Sequence, residues 1–314
     1  MIIPAYNAAA TIAATIESVL GQTFRDFEII AVDDGSTDRT LEILRGFGSR
    51  IRILEQHNEG PAAARNAGAR FSSGEYLAFL DADDVWRPAM MERAVAELEA
   101  DPAAVLVYFN AALADSDGRE LGTTLVGKGY GHAPSLHELL THLWPIMPSA
   151  AVVRRSAYER CGGYRNELKG ASFRFEDVDF WIRMREQGPF VYVAEPLVVW
   201  RFAWFPAKLK KLPDYSKALH IFERHLQEYY GVSARPLVEA RMRAPRSILA
   251  TIGLKALREG DRARARAAFA RAIRVDPRRI KNYLRWARTY LPFPIARLLS
   301  GGGGRAASSL PELN

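Results

Sequence analysis

Five short apolar runs in the first 111 residues alternate with stretches of helical spacing, and this alternation constrains the fold more than any other feature. Ile2–Ala5, Phe27–Val32, Ile51–Leu54, Tyr76–Leu80 and Ala104–Ala111 read as strands. Thr11–Leu20, Thr37–Phe47, Pro61–Phe71 and Pro88–Ala100 read as helices, the first with Ile12, Ile16, Val19 and Leu20 on one face. Ser36 is the expected N-cap of the second helix, and Pro88 is expected in the first turn of the fourth. Strands alternating with helices imply right-handed crossovers. The expected fold is therefore α/β, a mainly parallel sheet flanked by helices. Ligands of such sheets bind beyond the carboxyl ends of the strands. The polar residues of this chain gather there: Tyr6-Asn7, Asp33-Asp34-Gly35-Ser36, and Asp81 to Asp84.

The pattern then loosens. Asp115–Arg119 (DSDGR) reads as a hairpin turn. Val152–Arg154 and Val191–Trp200 read as strands, and Phe175–Gln187 as a helix led by acidic residues that suit its positive end. From about Pro213 onward the pattern is helical. Within it, residues 246–279 carry Gly253, Ala265, Phe269, Ala272 and Pro277 at the spacing of a tetratricopeptide hairpin. One such unit cannot bury its own face, so it is expected to pack on the preceding helices or on Lys281–Leu291. The expected division is an α/β domain over 1–205, a helical region over 206–300, and a disordered tail over 301–314 (GGGGRAASSLPELN).

The net charge of +7 hides a split: residues 1–205 carry a balance of −8, residues 206–314 one of +15. Two readings of the basic end stay open. Arg258, Arg262, Arg264, Arg266 and Arg271 coat solvated helices, or this region, with Tyr290, Leu291, Phe293, Leu298 and Leu299, rests on an anionic membrane. No recognised nucleic-acid motif accompanies the charge, so no nucleic-acid partner is expected. Cys161 is the sole cysteine, which excludes an internal disulfide and a cysteine-based zinc site. The chain opens without a basic n-region and apolar h-region, and no run of about 18 apolar residues occurs. A cytoplasmic location is expected. P-loop and dinucleotide fingerprints are absent.

The chemistry gathers at Tyr76–Asp84, YLAFLDADD, where an apolar strand ends in Asp81, Asp83 and Asp84. Packing gains nothing from carboxylates there. A divalent cation on a diphosphate does, because hard cations take one or two carboxylates plus phosphate oxygens. The alternative is an acidic turn that caps the next helix. Four other motifs accompany it in order: IPAYN at Ile3–Asn7, VDDGSTD at Val32–Asp38, NEGPAAARNAG at Asn58–Gly68, and FEDVDFWIR at Phe175–Arg183.

Together these motifs resemble the family 2 glycosyltransferases of the Rossmann-like GT-A fold, which build bacterial surface polysaccharides, over about residues 1–205. The resemblance implies inverting, metal-dependent transfer from a nucleotide-diphosphate sugar, with a UDP-sugar expected. The implied acceptor is a glycan or lipid-linked glycan, and the implied cofactor Mn²⁺ or Mg²⁺. Pro4, Ala5 and Tyr6 would hold the base, and Asp34 would accept from a uracil N–H. Gly60 would permit close approach. Arg65 would reach the diphosphate, the alternative being a surface arginine. Asp81 would contact the ribose and Asp83 the metal, while Asp84 would orient backbone or cap a helix. Asp177 would take the acceptor's proton, with Glu176 orienting it. Trp181 would wall the acceptor site or sit in the core.

Two departures stand out. Relatives carry Tyr-Arg-x-His where this chain reads Trp200-Arg201-Phe202-Ala203, so a histidine is missing. Relatives also have residues before the first strand, so the natural start is expected upstream. Two rival readings remain. A scaffold acting through the helical region has no need of this carboxylate set. A sugar nucleotidyltransferase would carry a glycine-rich loop where this chain has AYNAAATI.

Overall fold

The computed structural model describes residues 1–115, 117–166, 175–201, 215–237 and, apart from 251, 255, 258 and 276–278, residues 249–290. The expected tail, Pro213, Pro277, Arg258, and the apolar residues at 291, 293, 298 and 299 lie outside these.

The chain forms an α/β fold whose strands run β1 (Ile2–Ala5), β2 (Ile30–Asp33), β3 (Arg52–Glu55), β4 (Tyr76–Ala78), β5 (Val85–Trp86), β6 (Leu106–Ala114), β7 (Glu120–Thr124), β8 (Ala151–Arg154) and β9 (Phe190–Arg201). Between them lie helices α1 (Ile12–Leu20), α2 (Thr40–Arg45), α3 (Pro61–Phe71), α4 (Met90–Ala100), α5 (Leu136–Thr141), α6 (Arg155–Arg160) and α7 (Phe175–Gln187). The helices α8 (Tyr215–Tyr230), α9 (Arg262–Val275) and α10 (Ile280–Arg288) follow.

The first sheet is parallel, in the order β1-β2-β3. The second is mixed, in the order β4-β8-β6-β9-β5, with β7 on β6. There β6 pairs parallel with β9 but antiparallel with β7 and β8. The change follows from the connections: β1, β2 and β3 each lead into a helix before the next strand, whereas β6 turns straight into β7 at Asp115–Arg119, as the DSDGR turn requires. The sheets join where Ile2 bridges Phe79 and the Leu80 amide donates to the Ile2 carbonyl at 3.0 Å. Beyond that join stand Asp81 to Asp84.

Packing fixes the elements that carry the site. Helix α1 buries Ile12, Ile16 and Val19 along one face, and all nine residues of β6 are buried. Helix α3 lies close on β1 and β2: a Cβ at Gly68 would stand 2.4 Å from Ile2 Cγ2 and 3.2 Å from Val32 Cγ2. Helix α2 is shorter than its sequence suggests, and Ser36 does not cap it. The Ser36 hydroxyl accepts from the Asn7 amide at 3.1 Å, while Asp38 Oδ1 accepts from the Thr40 amide at 2.9 Å. Likewise α4 begins at Met90, and the Pro88 carbonyl accepts from the Thr23 amide at 2.8 Å.

In the helical region, Phe222 of α8 stacks on Phe175 of α7 at 5.1 Å. The hairpin's tight approach falls where its spacing indicates, since a Cβ at Gly253 would stand 2.6 Å from the Phe269 ring. Ala256, Leu257, Ala265 and Phe269 form a small core against which Trp286 of α10 packs. Among the described residues no helix is long and apolar enough to cross a membrane.

Candidate active site

Three strand ends and two helix starts meet at the site. The loop after β1 is held by the loop after β2: Asn7 Oδ1 accepts from the Thr37 amide at 2.8 Å, and the Asp34 amide donates to the Ala5 carbonyl at 2.8 Å. Pro4 and Ala5 end β1 in the interior. Tyr6 is 49% exposed, so its ring is open to stacking. Asp33 is the strand-ending turn residue, accepting from the Ser36 amide at 3.2 Å.

Asp34 is buried and holds the third loop. Its Oδ1 accepts from Gln56 Nε2 at 2.7 Å and the Glu59 amide at 2.9 Å, and its Oδ2 from the Gly60 amide at 2.8 Å. Three of a carboxylate's four acceptor positions are thus used inside the protein. Gly60 is the N-cap of α3 with φ +90°, a conformation that L side chains rarely adopt. It lets the chain turn directly into Pro61, whose missing amide costs nothing at a helix start.

Arg65 is not a surface residue. It is 1% exposed, one turn into α3. Its Nη2 donates to Asp81 Oδ1 at 2.6 Å and its Nη1 to Asp177 Oδ1 at 3.4 Å. Its guanidinium carbon lies 5.1 Å from the centre of the Tyr164 ring. Burial opposes its charge, but the charges of Asp81 and Asp177 outweigh that, and its pKa is raised. The next residue, Asn66, fixes the loop that carries Tyr164: it donates to the Tyr164 carbonyl at 2.7 Å and accepts from the Tyr164 amide at 2.9 Å.

Asp81, Asp83 and Asp84 each bring a carboxylate oxygen within 4.8 Å of the others. Asp83 is the most exposed of the three. Asp84 orients backbone, as the sequence suggests: its Oδ1 accepts from the Arg201 amide at 3.2 Å. Its Oδ2 accepts from the Ser149 hydroxyl at 2.5 Å, and that hydroxyl's oxygen accepts from the Asp81 amide at 3.1 Å. Ser149 therefore ties the Asp84 carboxylate to the backbone of Asp81. Nothing in the sequence marks it, because it is a lone serine in an irregular stretch. An all-oxygen set of hard carboxylates fits Mn²⁺ or Mg²⁺ and suits softer ions poorly.

The three acids of α7 differ. Glu176 and Asp177 are buried in the first turn. Asp179 belongs to the scaffold: Arg183 reaches its Oδ2 through Nε at 2.9 Å and Nη2 at 2.6 Å, and donates through Nη1 to the carbonyls of Cys161 and Gly163. Trp181 is a core residue, 2% exposed, and walls no open site.

The Glycosyl transferase family 2 model matches residues 1–162. The chain belongs to that family. Among relatives of this family 2 member, chondroitin synthase of Escherichia coli is 31% identical over 194 residues, 61% of this chain. The chain spans only 27% of that protein's length. The Escherichia coli enzyme named UDP-Glc:alpha-D-GlcNAc-diphosphoundecaprenol beta-1,3-glucosyltransferase WfgD is 44% identical over 88 residues, 27% of this chain and 35% of its own. The crystal structure of Staphylococcus aureus TarS 1–349 in complex with UDP-GlcNAc shares the fold at a TM-score of 0.52 and 17% identity, covering 92% of this chain and 89% of that one. The family 2 resemblance therefore holds, over a stretch that includes four of the five motifs, and with it the GT-A fold.

Proposed function

We propose that this chain is an inverting, metal-dependent glycosyltransferase that takes a sugar from a UDP-sugar and passes it to a glycan or lipid-linked glycan. The observation that carries this reading is Arg65, which touches both Asp81, beside the cation-binding carboxylates, and Asp177, at the start of α7. Donor and acceptor chemistry would share one guanidinium. WfgD, named for a UDP-glucose donor and a lipid diphosphate acceptor, supports the choice of substrates.

In this reading Tyr6 stacks on the base beside Pro4 and Ala5. Asp34 keeps its remaining acceptor position for the base's N–H. Gly60 lets the α3 start approach the diphosphate, and Asp81 receives the ribose. Asp83, with Asp81 and Asp84, would hold Mn²⁺ or Mg²⁺, which would supply positive charge to offset that of the departing diphosphate. Asp177 takes the proton of the acceptor hydroxyl as its oxygen attacks the anomeric carbon from the face opposite the diphosphate. The anomeric C–O bond breaks, and the nucleoside diphosphate leaves with the electron pair. Glu176 orients the base or the acceptor. The transition state resembles an oxocarbenium ion.

Asp177→Asn tests the assignment. It should bind UDP-sugar normally and lose about 10²–10⁴-fold in transfer rate, the usual worth of a general base. Transfer at the wild-type rate would remove Asp177 from the mechanism. Calorimetry with UDP-, GDP- and other nucleotide sugars, with and without Mn²⁺, tests the donor. Absence of metal-dependent binding across that panel would refute the donor assignment.

A further inference from the structure

Helix α10 turns an apolar stripe outward. Its inward side carries Trp286, packed half-buried on the Phe269 core, and the fully covered Asn282, whose Nδ2 donates to the Ala272 carbonyl at 3.4 Å; Thr289, which caps its end, is also covered. Apart from Lys281, the side chains it exposes are apolar. Ile280 is 72%, Leu284 58% and Tyr283 43% exposed, with Ala287 one turn on. The spacing i, i+3, i+4, i+7 makes them a single stripe, the pattern that ordinarily faces a core. Tyr290 stands exposed beyond the end of the stripe.

Charge narrows what covers the stripe. Arg279, Lys281, Arg285 and Arg288 flank it, and no acidic residue occurs from 279 to 300. Burial, with Arg279 and Arg288 close by, lowers the Arg285 pKa, so the cluster carries electrostatic strain that an anionic surface would relieve. A second copy of this face would bring like charges together. An apolar stripe rimmed by Lys and Arg, with tyrosines at its margin, has the composition of a helix that lies in a bilayer interface. Downstream the sequence continues with Leu291, Phe293, Ile295, Leu298 and Leu299, again without an acid.

We propose that α10 docks this protein on an anionic lipid bilayer, with Ile280, Tyr283, Leu284 and Ala287 entering the interface and Arg279, Lys281, Arg285 and Arg288 against the headgroups. This surface stands independently of the catalytic reading. It also differs from the basic coat of Arg262 to Arg271 that the sequence brings forward, since it lies on the next helix.

Co-sedimentation of the full chain with vesicles tests it. Phosphatidylcholine vesicles containing about a third phosphatidylglycerol should bind the protein, pure phosphatidylcholine vesicles should not, and binding should weaken as salt rises. Ile280→Glu with Leu284→Glu should abolish binding. Lys281→Gln, Arg285→Gln and Arg288→Gln together should lower the partition coefficient on the order of a hundredfold, at about fivefold per cation. All five positions are exposed or half-buried, and unchanged circular dichroism with an unchanged melting curve would establish that the variants fold. Failure of the wild type to bind anionic vesicles, equal binding to neutral ones, or wild-type binding by the folded variants would overturn the proposal. So would dimers in sedimentation velocity that the double glutamate variant splits, because they would assign the stripe to self-association.

Discussion

Replacing Arg65 with methionine removes the cation that touches Asp81 at 2.6 Å and Asp177 at 3.4 Å, while keeping most of the aliphatic stem. All three residues are buried. Breaking a buried ion pair from one side costs about 3–5 kcal/mol, because the partner's charge is left uncompensated in a poorly polarisable interior. Two partners are involved, and the closer pair with Asp81 carries the larger share. Total stabilities of 5–15 kcal/mol are usual, so the variant should lose a large part of its margin. Urea unfolding followed by intrinsic fluorescence reads this, since Trp86 and Trp181 are buried in the folded chain. The midpoint should fall with little change in slope. Two controls make the origin specific. Asp177→Asn in the Arg65→Met background should cost less than the sum of the single changes, as expected for residues in contact. Lowering the pH should narrow the gap to wild type, because carboxylates left without a cation take up protons instead. A loss under about 1 kcal/mol with an unchanged slope would refute the claim that this guanidinium holds the two carboxylates.

Other expectations follow from the same geometry. Asp83→Ala should leave the fold intact and remove the Mn²⁺ dependence of UDP-sugar binding, checked by calorimetry. Ser149→Ala removes the hydroxyl between the Asp81 amide and Asp84 Oδ2, and should weaken Mn²⁺ binding about 10–100-fold by loosening the Asp84 carboxylate and the backbone that carries Asp81. Gly68→Val forces a side chain into Ile2 and Val32 and should destabilise by about 1–3 kcal/mol or more in thermal unfolding. At α5, Ser135 and Glu138 form a reciprocal cap, and hydrogen bonds from Ser135 and His132 hold Glu138 at about 2, below its ordinary 4.5. A depressed carboxylate stabilises above its unfolded value. The cap's contribution should thus be complete above pH 4.5 and fade as pH falls toward 2, visible in amide exchange of the α5 first turn.

Much of this molecule was legible because its constraints are local. Pro61–Phe71 and Phe175–Gln187 have the bounds their spacing predicts, each begun by residues suited to a helix start. The carboxylates at 81, 83 and 84 follow a strand as read, and Gly253 meets Phe269 where a tetratricopeptide hairpin requires it. What stayed hidden is non-local. The antiparallel pairing of β6 with β8 depends on a long connection through β7 and α5, which periodicity cannot orient. Ser36 reads as a cap, yet a loop 29 residues away takes its hydroxyl. Arg65 reads as a surface arginine or a phosphate ligand. Its burial between carboxylates 16 and 112 residues away is a property of the assembled fold, as is the role of Ser149.

A guanidinium shared by two carboxylates also couples what binds at one to what binds at the other. If the diphosphate of a donor draws Arg65 toward itself, the hold on Asp177 changes before any acceptor arrives. Whatever factor the donor then applies to acceptor affinity, the acceptor must apply to donor affinity, because the two free energies close a single cycle. On the proposed reading, a salt bridge that looks like scaffolding in one static arrangement would thereby become the physical link through which each half of the cleft senses whether the other is filled.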